Sequence, residues 1–243
     1  AAESPYDATI SHISSARAEI DRFFPQYPHM DLLLSALQQA VTRPASFFEA
    51  ESRKPSLVRP AVVVGLVAVA GLLSSIPTVL AVADALPPEV GFIAAFGFAI
   101  GSITTVVGPF ISWVIVVTVL FVGSVLADGD GSFQDVFALV GWGFAPRIIV
   151  PIVGGIVSFF FLSSVDFSDP QQARQLSQMA TTGTIGIVTQ GMNALMFLWA
   201  GWLWTHALAN ARQIATKTAA TIVGAVVFVQ ILLNVGLTLL SAA

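Results

Sequence analysis

Five apolar runs without a single Asp, Glu, Lys or Arg divide the later part of the chain, at about 61–83, 90–127, 148–165, 186–208 and 219–240. Roughly 20 apolar residues in a helix cross a hydrocarbon core of about 30 Å. The first run is 23 residues and stops at Asp84 and the Pro87-Pro88 turn. The second is 38 residues, which as one helix would extend about 57 Å. That is about twice the core thickness, so a break is expected. Gly108-Pro109 is the place for it, because proline suits a helix's first turn and disfavours helix in the residue before it. The span then runs 109–127, and about 90–107 becomes a short interfacial or re-entrant helix. The pattern predicts an all-α integral membrane protein, a five-span helical bundle with spans at about 61–83, 109–127, 148–165, 186–208 and 219–240.

Residues 1–59 differ sharply, holding 13 of the 24 charges. Ile10, Ile13, Ile20 and Phe24 recur at helical spacing, and Asp31 is placed to cap a second helix carrying Leu33, Leu37, Ala40 and Val41 on one side. This predicts a cytoplasmic, amphipathic helical extension, docked on the membrane surface or the bundle, with a coiled-coil partner as the other use of such faces. Pro44 ends the second helix, which leaves Phe47 and Phe48 at headgroup level. The boundary with the membrane domain is expected between 59 and 60. The opening AAESP shows no charged segment followed by an apolar one, so no signal peptide is expected there.

Composition agrees with the pattern. Of 243 residues, 56% are hydrophobic and 10% charged, against about 25% charged in soluble domains; mean hydropathy is +0.84. A large catalytic domain outside the bilayer is excluded. The absence of cysteine removes disulfides, thiolate chemistry and Cys-type metal sites. A net charge of -4 with ten scattered Lys and Arg excludes nucleic acid as a partner. Those cations also choose the topology, since Lys and Arg in short loops stay on the cytoplasmic side. Five spans with the N-terminus inside place nine of the ten inside, leaving Arg174 outside; six spans would place seven inside and three outside. The expectation is a cytoplasmic N-terminus and an external C-terminus.

Little of this polar content supports catalysis. Asp128, Asp130 and Ser132 resemble half of a calcium loop, but Phe133 and Leu139 stand where its turn glycine and bidentate glutamate belong. Ser132-x-x-Asp135 instead reads as a capping box opening a short helix over 133–140, lying along the membrane before Pro146. His12, His29 and His206 are too far apart for metal-ligand spacing. No nucleophile elbow, phosphate loop or paired intramembrane carboxylates occur, so no catalytic, cofactor or metal residues are assigned. Spans empty of ionisable groups also weigh against ion-coupled transport. Amides remain: Asn193, Gln230 and Asn234 are expected to form a polar contact between the last two spans, worth roughly 0.5 to 2 kcal/mol. Trp199, Trp202 and Trp204 fit an aromatic belt. Gly97 and Gly101 read as internal packing rather than a dimer face. Arg43, Arg53, Lys54 and Arg59 would attract anionic lipid.

Four segments carry a family resemblance: RPASFF at 43–48, VGPFISW at 107–113, DGDGSFQDVFALVGWGFAPRIIVP at 128–151 and LWAGWLWTHAL at 198–208. In this order they resemble the Yip family of Ypt/Rab-GTPase-interacting membrane proteins, in particular its prokaryotic members. The matching positions are Gly108 and Pro109 opening a span, Gly131, Ser132 and Phe133 in the turn, Gly141 and Pro146 ahead of the next span, and Trp202. Eukaryotic members have an acidic residue just before the Gly-Pro, where this chain has Thr105, Val106 and Val107.

The resemblance implies a five-span membrane protein with a cytosolic N-terminus that acts through other proteins. The expected function is therefore a non-enzymatic scaffold or adaptor, with membrane lipids and further proteins in or on the membrane as partners. Its contact surface is expected on the extension and the 132–140 helix. A transporter or channel for an uncharged or lipidic solute would need a polar cavity at Asn193, Gln230 and Asn234. An accessory subunit of a larger membrane complex would need a lipid-excluding patch at Gly97 and Gly101.

Overall fold

The computed structural model describes residues 28–85, 91–162 and 183–242. All regular structure among them is helical: α1 (Pro28–Thr42), α2 (Pro44–Glu51), α3 (Val58–Ala85), α4 (Gly91–Val125), α5 (Phe133–Gly141), a 3₁₀ segment (Trp142–Ile148), α6 (Ile149–Leu162), α7 (Thr184–Arg212) and α8 (Thr216–Ala242). The helix expected around Ile10 to Phe24 lies outside the described residues. The chain forms two compact units, 1–38 and 39–243.

Local chemistry sets the short elements. Proline at the first position starts α2. Ser132 and Asp135 close a reciprocal capping box on α5: the Asp135 N–H donates to Ser132 Oγ at 3.2 Å and the Ser132 N–H to Asp135 Oδ2 at 3.1 Å. Gln213, at φ 52°, reverses the chain after α7 in the left-handed conformation.

Among the described residues, four helical stretches are long and apolar enough to cross a membrane: Val58–Ala81, Ala95–Val125, Phe133–Phe160 and Thr216–Leu237. Helix α7 has the length, 29 residues, but Gln190 and Asn193 and its three tryptophans lower its hydropathy.

Two expectations about these stretches need correction. The chain does not break at Gly108-Pro109, and 90–107 forms no separate helix; residues 91–125 are one 35-residue helix with Pro109 inside it. Proline forfeits one backbone hydrogen bond, whereas leaving the helix in apolar surroundings would strand several. The third apolar stretch also begins well before 148. The described part of α6 is 14 residues, rising only about 21 Å, and the stretch gains its length from α5 and the 3₁₀ segment.

Helix α3 packs on α4 and α6, and α8 on α7 and α4. Small residues permit these approaches: a Cβ on Gly155 would lie 2.9 Å from Ser74 Cα, and Cβ atoms on Gly201 and Gly123 would lie 2.7 Å from Val227 and Ile222 side chains. Gly97 and Gly101 take no part in this packing. Nothing lies within 4 Å of a Cβ built on either, so their expected internal role is corrected to an open surface.

Burial concentrates at the α5 end of the membrane unit. Phe48, Leu120, Val136, Leu139, Trp142, Phe144, Trp204 and Leu208 are all fully buried there. Only 22% of the most apolar window of the first stretch and 11% of the last is buried, so long apolar faces point outward. Phe47 and Phe48, expected at headgroup level, are buried instead, Phe47 meeting Trp142 edge-on at 5.0 Å between ring centroids. Thus α2 belongs to the membrane unit rather than to a separate extension.

Candidate functional site

The glycine-rich segment 128–132 is shaped by its backbone. Asp128 has φ 55° and Gly131 φ 111°, the latter a conformation L side chains rarely adopt. A Cβ at Gly131 would also collide with the Ala211 carbonyl oxygen, so this turn lies directly on the end of α7.

Arg212 holds the two together. Its side chain, in a residue only 4% exposed, donates from Nε to Ser124 Oγ at 2.9 Å, from Nη1 to the Gly131 carbonyl and from Nη2 to the Gly129 carbonyl. Its guanidinium also sits 4.7 Å from the Phe121 ring centroid. Three acceptors and an aromatic face compensate this charge, with no carboxylate paired to it among the described residues.

Beside the clasp, aromatic groups tie α5 to its neighbours. Trp113 Nε1 donates to the Phe137 carbonyl at 3.1 Å and Trp204 Nε1 to the Val140 carbonyl at 3.0 Å. Gly141 and Gly143 leave room for those indoles: a Cβ at Gly141 would lie 2.7 Å from Trp113 Cζ2, and one at Gly143 would overlap Trp204. Trp204 is therefore core, and of the expected belt Trp202 is exposed, edge-on to His206. Helix α5 is largely covered by its neighbours: Val136 and Ala138 to Gly141 are buried, and its exposed part is reduced to Phe133 and Gln134 beside the turn. A polar hollow of about 330 Å³ opens next to the turn, lined by Ser52, Gly131, Asp135, Asn210 and Gln213 among others.

Glu51 closes this end. Its Oε2 lies 3.7 Å from Arg59 Nη1, while Oε1 is buried without a hydrogen-bond partner. Burial pushes the Glu51 carboxyl above its ordinary value of 4.5, and Arg59 opposes that rise.

The remaining expected residues are dispersed. Gly108 and Pro109 lie mid-helix in α4, and Pro146 is buried in the 3₁₀ segment. The Gly201–Val227 contact sets an antiparallel register that puts Asn193 and Asn234 at similar depth. Asn193, however, lines a cavity of about 180 Å³ with Arg147, Val67, Val150, Pro151, Met196 and Phe197, and the Gln230 side-chain oxygen is buried without a hydrogen-bond partner. Arg147 was expected in a loop; it sits instead within the Phe133–Phe160 apolar stretch, its Nη1 donating to Ser112 Oγ at 3.3 Å.

Sequence reasoning thus missed Arg147 and Arg212. A signal existed for the first, a lone cation between Phe144-Ala-Pro and Ile-Ile-Val. For Arg212, at a helix end beside a polar loop, the sequence carries no comparable mark. Among the described residues no group of three or more His, Asp or Glu is placed to hold a metal ion.

Several membrane-length apolar helices, with burial gathered at one end and lipid-compatible faces elsewhere, define an integral membrane protein. A family model for the Yip1 domain matches residues 39–237, and the chain belongs to that family. It is similar to an uncharacterised protein of Methanocaldococcus jannaschii, 26% identical over 130 residues that make up 53% of this chain and 92% of the relative. This agrees with a prokaryotic-type member. No solved structure matches.

Proposed function

We propose that the protein is a non-enzymatic membrane scaffold with five crossings, whose glycine-rich turn and α7–α8 corner present a contact surface for other proteins. The observation that carries this reading is the Arg212 clasp, which joins the turn after α4 to the end of α7. Two crossings, α3 and α4, then separate α2 from the turn, and two more, the α6 stretch and α7, separate the turn from Gln213. Helix α8 makes the fifth and ends on the opposite side. The same end gathers Arg43, Arg53, Lys54, Arg59 and Lys217, which favours a cytoplasmic location for it.

A clasped turn of fixed shape beside a polar hollow suits recognition by a protein, and the exposed apolar faces suit lipid contact. The transporter alternative calls for one cavity joining Asn193, Gln230 and Asn234; the cavity at Asn193 has Arg147 as its other polar group. The accessory-subunit alternative keeps one supporting feature, the open surface at Gly97 and Gly101.

Photo-crosslinking in native membranes tests the reading. Crosslinkers at the exposed Gln134 and Gln213 are expected to give protein adducts that survive deletion of residues 1–38, while one at the exposed Leu232 on α8 gives lipid adducts. Lipid adducts alone at all three sites would remove the scaffold reading.

A further inference from the structure

Two arginines turned toward the bundle, Arg212 buried and Arg147 half-buried, differ in how their donors are used. A guanidinium has five N–H donors. Arg212 directs Nε, Nη1 and Nη2 to three separate acceptors. Arg147 has one hydrogen bond, a 3.3 Å contact from Nη1 to Ser112 Oγ. Its guanidinium carbon lies 5.2 Å from the Phe144 ring centroid and 5.1 Å from that of Phe197, so two aromatic rings flank it, and among the described residues Nε and Nη2 have no acceptor. The ion pairs among the described residues, Arg53 with Glu49 and Arg59 with Glu51, leave Arg147 without a carboxylate.

A half-buried cation set among apolar helices, with no counter-charge among the described residues, is a place for a bound anion. The space for it exists. The cavity of about 180 Å³ beside Arg147 is an order of magnitude larger than the about 10–15 Å³ that one water needs. Asn193 adds a side-chain amide able to donate two further hydrogen bonds. Pro151, on the cavity wall, also borders an apolar groove of about 530 Å³ between α3 and α6, so a polar and an apolar site adjoin.

We propose that the Arg147–Asn193 cavity binds an oxyanion of the phosphate class, with the free edge of the guanidinium and the Asn193 amide as its donors. Arginine suits this task because its planar fork matches the oxygens of a phosphate. A phospholipid headgroup and free inorganic phosphate share this chemistry, and the adjoining apolar groove favours the lipid. The proposal stands apart from the scaffold reading, since the cavity is separate from the clasped turn.

The test is native mass spectrometry on the detergent-purified full chain, titrated with phosphatidylglycerol and, separately, with inorganic phosphate. Wild type and R53Q, altered at an exposed surface arginine, are expected to bind alike, whereas R147Q binds at least tenfold more weakly and R147K falls between. Retention of phosphatidylglycerol in millimolar inorganic phosphate supports the lipid; displacement with the same dependence on Arg147 supports the free oxyanion. N193L keeps the arginine and fills the cavity, so it decides the matter if R147Q does not fold, and it too is expected to lose binding. Binding by folded R147Q or N193L at wild-type strength overturns the proposal.

Discussion

Arg212 donates to the carbonyl oxygen of Gly131, 81 residues earlier in the chain. A charged donor thereby fixes a turn whose φ of 111° suits only glycine. Removing the donor leaves the Gly129 and Gly131 carbonyls and Ser124 without it. R212Q is expected to destabilise the protein by about 3 kcal/mol or more, with R212K intermediate because an ammonium lacks the fork. Thermal unfolding in detergent measures this, and a wild-type midpoint for R212Q would show that the clasp contributes nothing.

Glycines at the two kinds of position should respond oppositely to alanine. G131A is expected to destabilise by more than about 1 kcal/mol, combining a disallowed φ with a clash on Ala211. At Gly97 and Gly101 a methyl meets nothing within 4 Å, and alanine is the better helix former by about 0.8–1.0 kcal/mol. The G97A/G101A double variant is therefore expected to unfold at or above the wild-type temperature. A lower midpoint would reveal a contact made by that face in solution.

The tryptophans divide in the same way. W204F removes the indole donor to the Val140 carbonyl, which keeps a backbone N–H donor at the helix end; the lost hydrogen bond and the poorer fill of a fully buried indole site are expected to cost about 1 kcal/mol or more. W202F, on an exposed side chain, is expected to shift stability by no more than about 0.5 kcal/mol. Equal midpoints for the two variants would refute the assignment of Trp204 to the core.

Glu51 gives the stability a pH dependence of definite sign. Its folded carboxyl titrates above the unfolded value of 4.5, because burial disfavours the charge. The folded state therefore binds more protons between the two values, and stability is lost as pH rises through the folded pKa. E51Q should abolish this component and stabilise the protein at neutral pH, despite forfeiting the 3.7 Å contact with Arg59. Unfolding midpoints at acidic and neutral pH, compared between wild type and E51Q, check it; a variant less stable at both would reverse the sign.

Local rules read well where local chemistry decides. The Ser132–Asp135 capping box, the helix ending before Pro44 and the apolar stretches follow from spacing and residue type alone. The rest depended on neighbours that a linear pattern does not display. Pro109 reads as a helix break until the surroundings make an interrupted backbone costlier than one missing hydrogen bond. Phe47 and Phe48 resemble interfacial anchors until Trp142 arrives to cover them. Arg147 and Arg212 resemble loop charges because their acceptors lie 35 or more residues away.

The long reach of the clasp also bears on how the protein is made. At a synthesis rate of about 5–20 residues per second, Arg212 emerges about 4–16 s after Gly131. Throughout that interval the glycine-rich turn waits without its cation, and all but the last helix must be translated before it closes. A chain stopped short of residue 212 would carry most of its apolar length and yet lack the side chain that ties the turn after α4 to the end of α7.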